Sequence, residues 1–216
     1  MRLILCASTG ILLSAGLCFF ERNVEKTSAK YPVENILPEM PKTGYKEIYH
    51  PTPNFDSEKV NDVQGIILHH TAEPTIERSL AVLTSSQKKV GTHVVIDTDG
   101  TRYIMAEPRK VVFHAGKSIL GGREACNEFT IGIELQGNTL ESPLTQDQID
   151  SAIEYMLPLI REYNIPVSNI VTHEMIRQAY KRKYPNTKCY DKVDITKKEY
   201  RRFMKRLYEV LETQPK

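Results

Sequence analysis

GIILHHTA, residues 65–72, sets two adjacent histidines at the end of an aliphatic, β-branched run. A short apolar run bounded by a polar step reads as a buried strand. Side chains of a strand alternate between its two faces, so His69 and His70 cannot both serve one site. The neighbouring stretches supply the rest of the fold. PTIERSLAVLTSSQ spaces Ile76, Leu80 and Leu83 as a helix does, and THVVIDTDGTRYIMAE predicts two strands around an Asp99-Gly100 turn. FTIGIELQG is a further short strand. TQDQIDSAIEYMLPLIREY opens with the capping pair Thr145 and Gln148, carries an apolar stripe at Ile149, Ile153, Leu157 and Ile160, and contains Pro158, which predicts a kink. NIVTH reads as a strand and HEMIRQAYKRKY as a helix; TKKEYRRFMKRLYEVLE is a last helix opened by Thr196 and Glu199. Strands interleaved with helices give an α/β fold class, a single domain with a central β-sheet flanked by helices.

The chain of 216 residues holds 29 Lys and Arg against 27 Asp and Glu, and 40% of it is hydrophobic. So even a balance offers no bulk charge for nucleic acid, and the apolar share suffices for an ordinary core. After Arg2 the run Leu3–Phe20 has no charged residue. A basic start before an apolar core is an export pattern, so residues 1–22 are expected as a signal peptide or membrane anchor and the protein as exported. Lipid attachment at Cys18 stays open, although Leu17 stands where a small residue is expected. Five prolines among polar residues make 23–60 an extended linker or surface arm, and 61–212 the folded domain, expected as a monomer. Cys126 and Cys189 could pair in an oxidising compartment. The basic cluster from Lys181 to Arg206 reads first as solvated helix surface and second as attraction to an anionic polymer or lipid.

His69 and His173 each follow an apolar strand, where rigid elements present side chains to a cleft. Neither HExxH nor CxxC spacing occurs, so any metal site must be assembled from remote segments.

GIILHHTA, THVVIDTDGTRYIMAE, FHAGKSILGG, NEFTIGIELQGN, VTHEMIR and KVD occur in an order that resembles the zinc-dependent N-acetylmuramoyl-L-alanine amidases, the family that includes the peptidoglycan recognition proteins. The resemblance covers about residues 62–210. It implies a mixed sheet flanked by helices, a zinc cofactor, and cleavage of the amide between N-acetylmuramic acid and the L-alanine of the peptidoglycan stem peptide. It implies His69, His173 and Asp194 as metal ligands, the last from the Lys-x-Asp form of Lys192-Val193-Asp194, with Cys189 as the rival because the stretch after His173 is longer than in short members. Glu134 matches the catalytic glutamate, Lys192 an oxyanion-stabilising lysine, and His93, His114 and Asn127 substrate-binding residues, the two histidines as cleft-lining or hydrogen-bonding groups rather than ligands. A zinc site of this kind keeps one position open for water. The rival class is a non-catalytic module that binds muropeptides, which would follow if the third donor failed to reach the two histidines.

Overall fold

The computed structural model describes residues 43–188 and 194–213. The leader, with Cys18, and both Cys189 and Lys192 lie outside the described residues.

Among the described residues, ten strands and four α-helices succeed one another: β1 (Glu47–Tyr49), β2 (Phe55–Val60), β3 (Gly65–His70), α1 (Ile76–Leu83), β4 (Val94–Ile96), β5 (Arg102–Ile104), β6 (Lys110–Val112), β7 (Ile119–Leu120), β8 (Arg123–Glu124), β9 (Thr130–Leu135), α2 (Gln146–Glu162), β10 (Ile170–Thr172), α3 (His173–Lys183) and α4 (Lys197–Thr213). Six of the strands form the central sheet in the order β1-β5-β4-β9-β3-β10. Strand β3 pairs in parallel with β9 on one side and β10 on the other, and β4 pairs in parallel with β9 and antiparallel with β5. The sheet is therefore mixed, as expected.

Every residue of β3 is buried. Full burial of an aliphatic side chain is worth about 1.5–3 kcal/mol, so Ile66, Ile67 and Leu68 outweigh the poor strand preference of the glycine and histidines around them. Alternation then divides the strand. Ile66 and Leu68 join Ile131, Ile133 and Leu135 under the stripes of α2 and α4, where Ile149, Ile153, Phe203 and Leu207 are fully buried. Ile67 faces the other way, with Ala115, Cys126, Phe129, Val171 and Ile176, and on that same side Val95 packs on Leu80 and Leu83 of α1. Helices thus cover both faces.

The expected capping box of α2 is formed in both directions between Thr145 and Gln148. At α4 the pair divides its work. Thr196 Oγ1 accepts from the Glu199 N–H at 3.4 Å, while the buried Glu199 carboxylate accepts from the Leu144 N–H and from Arg202, both at 3.0 Å. Glu199 therefore ties the last helix to the loop that precedes α2. Several of the basic side chains are likewise engaged: Lys183 with Glu124, Arg202 with Glu199, and Arg206 with Asp150.

The linker reading of 23–60 needs correction over its described part. Residues 43–60 belong to the folded unit: β1 extends the central sheet alongside β5, and β2 pairs with β6. The prolines of this segment fall outside its two strands, where they cost no ladder bond. Tyr45, Thr52 and Asn54 are buried. The Asn54 side-chain amide reaches the carbonyls of Leu83 (3.0 Å), Ser85 (3.1 Å) and Val90 (2.7 Å), closing the loop that follows α1. Removing a buried donor leaves carbonyls unsatisfied, at about 1–3 kcal/mol. Asn54→Ala is expected to lower unfolding stability by about 2 kcal/mol in urea titrations; a change within about 0.5 kcal/mol, the usual effect of a surface substitution, would show that the segment is only an arm.

Candidate metal centre

Parallel pairing places the chemistry. Register sets His69 of β3 beside Glu134 of β9, and Thr172 of β10 beside Leu68 of β3. The chain leaves β10 directly into α3, whose N-cap is Thr172 and whose first residue is His173. His69, Glu134 and His173 consequently stand together at the carboxyl ends of three parallel strands, where open α/β sheets place their ligand sites.

Asp194 completes the group. It is fully buried, with Oδ2 2.8 Å from His173 Nδ1 and Oδ1 3.9 Å from His69 Nδ1. One donor atom from each of His69, His173 and Asp194 can be chosen so that all lie within 4.8 Å of one another. The fold thus brings together the three residues that the resemblance implies as ligands.

The surroundings prepare His69 to donate a lone pair. His69 Nε2 lies 3.2 Å from His114 Nδ1, and His114 Nε2 lies 3.4 Å from the Thr130 carbonyl oxygen, which can only accept. His114 therefore carries its proton on Nε2 and accepts at Nδ1. His69 must then donate from Nε2, and its Nδ1 is the ring nitrogen turned to the Asp194 side. A hydrogen bond on the far nitrogen that sets the tautomer is the usual support of a metal-binding imidazole. Two imidazoles and a carboxylate whose donor atoms lie this close together suit a divalent ion of zinc type.

His114 is thus a supporting residue rather than part of the cleft lining. It is buried, and burial first, then neighbouring His69 and His93, holds its pKa well below the ordinary histidine range. His93 needs the larger correction. It is fully buried; its Nδ1 accepts from the Gly132 N–H (3.0 Å) and its Nε2–H donates to the Lys110 carbonyl (3.1 Å). With both ring nitrogens taken by backbone it has nothing left for a substrate, and burial lowers its pKa from 6.5 to about 4. Asn127 acts on the loop as well: its Oδ1 accepts from the N–H groups of His114 (3.1 Å) and Ala115 (2.7 Å). All three residues hold the frame of the site.

Glu134 is 7% exposed and borders a cleft of about 300 Å³ that Ser79, Val82 and Leu83 of α1 line opposite it, with Thr71 and Glu73 at the rim. A carboxylate beside the three donors and open to a cleft is placed to exchange protons with a bound molecule.

Gly132, two residues before Glu134, was not singled out from sequence. A Cβ at this position would lie 2.6 Å from Cγ of His114. A glycine inside a strand marks such close approach, and TIGIEL carried that signal.

These features define a class of protein: an α/β domain with a three-donor site and a buried carboxylate at the ends of its parallel strands. A family model described as N-acetylmuramoyl-L-alanine amidase matches residues 59–189, and the chain belongs to that family. The match stops short of Asp194, which the fold nevertheless delivers to the two histidines. The 1,6-anhydro-N-acetylmuramyl-L-alanine amidase AmpD of Haemophilus influenzae is 39% identical over 90 residues, 40% of this chain and 47% of that protein. The N-acetylmuramoyl-L-alanine amidase AmiD of Escherichia coli is 28% identical over 127 residues, 51% of this chain and 45% of that protein. The chain therefore spans about half the length of the curated relatives it matches. Two solved structures share the fold: an AmpD derivative, with a TM-score of 0.55 at 22% identity over 75% of this chain and 95% of that one, and the amidase LysC of Clostridium intestinale, with 0.53 at 23% over 77% and 99%.

Two outcomes are expected of this arrangement. Gly132→Ala should push His114 off His69 and weaken zinc binding by about tenfold or more, read by chelator competition; unchanged affinity would show that His114 does not orient the ligand. Acid should also destabilise the metal-free protein. Between pH 6.5 and about 4 the unfolded chain binds a proton that native His93 refuses. Stability is thus complete above that window and falls as pH drops through it, by up to about 3 kcal/mol from this residue. His93→Gln should flatten the fall in urea midpoints between pH 7 and 5, measured with a chelator present; an identical slope would contradict the assignment.

Proposed function

We propose that the chain is a zinc-dependent N-acetylmuramoyl-L-alanine amidase that hydrolyses the amide between N-acetylmuramic acid and the L-alanine of a peptidoglycan stem peptide. The observation that carries the reading is the meeting of His69, His173 and Asp194 beside Glu134 at one end of the sheet. Family membership supports the substrate class, and the names of AmpD and AmiD agree with it. The rival, a binding module without hydrolysis, required the third donor to miss the histidines; Asp194 lies within reach of both.

His69, His173 and Asp194 would hold the ion, which when bound supplies Lewis acidity towards water and the amide carbonyl. The remaining work falls to the chain. An amide combines a weak electrophile with a poor leaving group, so a proton must leave the attacking water and reach the departing nitrogen. Glu134 takes that proton and returns it, since a buried carboxylate at the cleft can serve as base and then as acid. Lys192, implied by the resemblance, would stabilise the negative oxygen of the tetrahedral species. Export, with Leu3–Phe20 as leader or anchor, is the setting proposed.

Digestion of purified sacculi, with analysis for released stem peptides bearing a free amino-terminal L-alanine, tests the activity. Glu134→Gln should keep its zinc and lose about 10²–10⁴-fold in kcat. Asp194→Ala should lose both zinc and activity, whereas Cys189→Ala should keep both, by elemental analysis of the purified proteins. Loss of zinc from the cysteine variant alone would overturn the ligand set. A zinc-loaded wild type that releases no stem peptide would leave only the binding function.

A further inference from the structure

We propose that Thr139, acting with His70, is a positioning residue that sets the third donor in place; the inference rests on the metal-centre reading above and concerns side chains outside the donor set. His70 points away from the three donors, yet it touches Asp194 from the back. Its backbone N–H donates to Asp194 Oδ1 at 3.3 Å. Its ring faces Thr139, whose backbone N–H donates to His70 Nδ1 at 3.1 Å and so fixes that nitrogen as an acceptor. Thr139 Oγ1 lies 3.0 Å from the same nitrogen. The hydroxyl therefore gives its proton to His70, which leaves its oxygen to accept the Thr196 N–H at 3.0 Å.

Thr196 stands two residues beyond Asp194, and 194–196 lie in no helix or strand, α4 beginning only at Lys197. The short stretch is thus held at two points: the carboxylate by the His70 amide, the backbone by the Thr139 hydroxyl. His70 and Thr139 are 1% and 8% exposed, so water competes little for these bonds. Both anchors belong to segments already fixed, His70 to β3 and Thr139 to the turn that follows β9. A donor on irregular backbone keeps its geometry only through such supports, and a small displacement costs metal affinity. The hydroxyl of Thr139 binds both the histidine neighbouring a ligand and the backbone carrying the acidic ligand. Adjacent histidines at 69 and 70 then have a shared purpose: one donates to the ion, and the other locates its partner donor.

Thr139→Val removes the hydroxyl at nearly constant volume, and Thr139→Ser retains it. Zinc affinity of the full chain, measured by competition with a chromophoric chelator, should fall about 10–100-fold for the valine variant and recover for the serine variant. The visible spectrum of the cobalt-loaded protein should change with valine and return with serine, while metal-free unfolding midpoints report any general loss of stability. If the valine variant does not fold, Thr139→Ala deletes the same hydroxyl without adding a methyl group against His70, and the same loss is expected. Wild-type zinc affinity in the valine or alanine variant, or a serine variant as weak as valine, would overturn the positioning role alone. A wild-type chain that takes up no zinc would overturn the metal centre itself and this role with it.

Discussion

Strand β3 is paired in parallel on both sides, and that registration is the constraint on which the site depends. It aligns His69 with Glu134 and brings the end of β10, hence His173, alongside. Because the side-chain period of a strand is two, a slip of one residue would send His69 into the face occupied by α2 and α4 and bring His70 to the donors. The aliphatic triplet Ile66-Ile67-Leu68 prevents that slip, since each member is fully buried in its own layer. Core packing therefore sets the register, and register sets the chemistry.

Around this frame the protein buries imidazoles that stay neutral. Burial is the main cause that lowers the pKa of both His114 and His93, and each ring meets a backbone carbonyl. Neutral rings have defined donor and acceptor ends, so a proton placed by the Thr130 carbonyl decides the state of His114 and, through it, the tautomer of His69. Gly132 makes the arrangement possible by offering no side chain where the His114 ring must lie. Stability and function are coupled here: the acidity that would protonate the frame also loosens it.

Much of this was legible in the sequence. The apolar run before His69, the Asp-Gly turn, and the capping pair at Thr145 announce their elements through local chemistry, and the structure holds each of them. The donors His69, His173 and Asp194 came from family resemblance, because contacts between residues so distant along a chain leave no local pattern. What escaped reading depends on tertiary contact. Residues 43–60 look like a linker by composition, yet Asn54 buries itself against the loop after α1 and Tyr45 bonds Asp147 in the first turn of α2, partners whose positions only the fold reveals. Likewise, a histidine in sequence is ambiguous between lining a cleft and hydrogen-bonding the frame; His93, His114 and Asn127 all bond backbone groups here. Glu199 reads as half of a capping box and spends its carboxylate on a different loop.

The acidic donor also has a temporal consequence. His70 and the carboxylate it steadies are 124 positions apart in the chain. A polypeptide emerging from the ribosome exposes its first histidine long before the aspartate exists, and residue 173 arrives only shortly before. Two nitrogens alone hold an ion loosely, so a growing or carboxyl-truncated chain cannot retain one with full strength. An ion held by all three donors would bind the native state alone and act as a final clasp, its hold adding to stability in proportion to the logarithm of its free concentration.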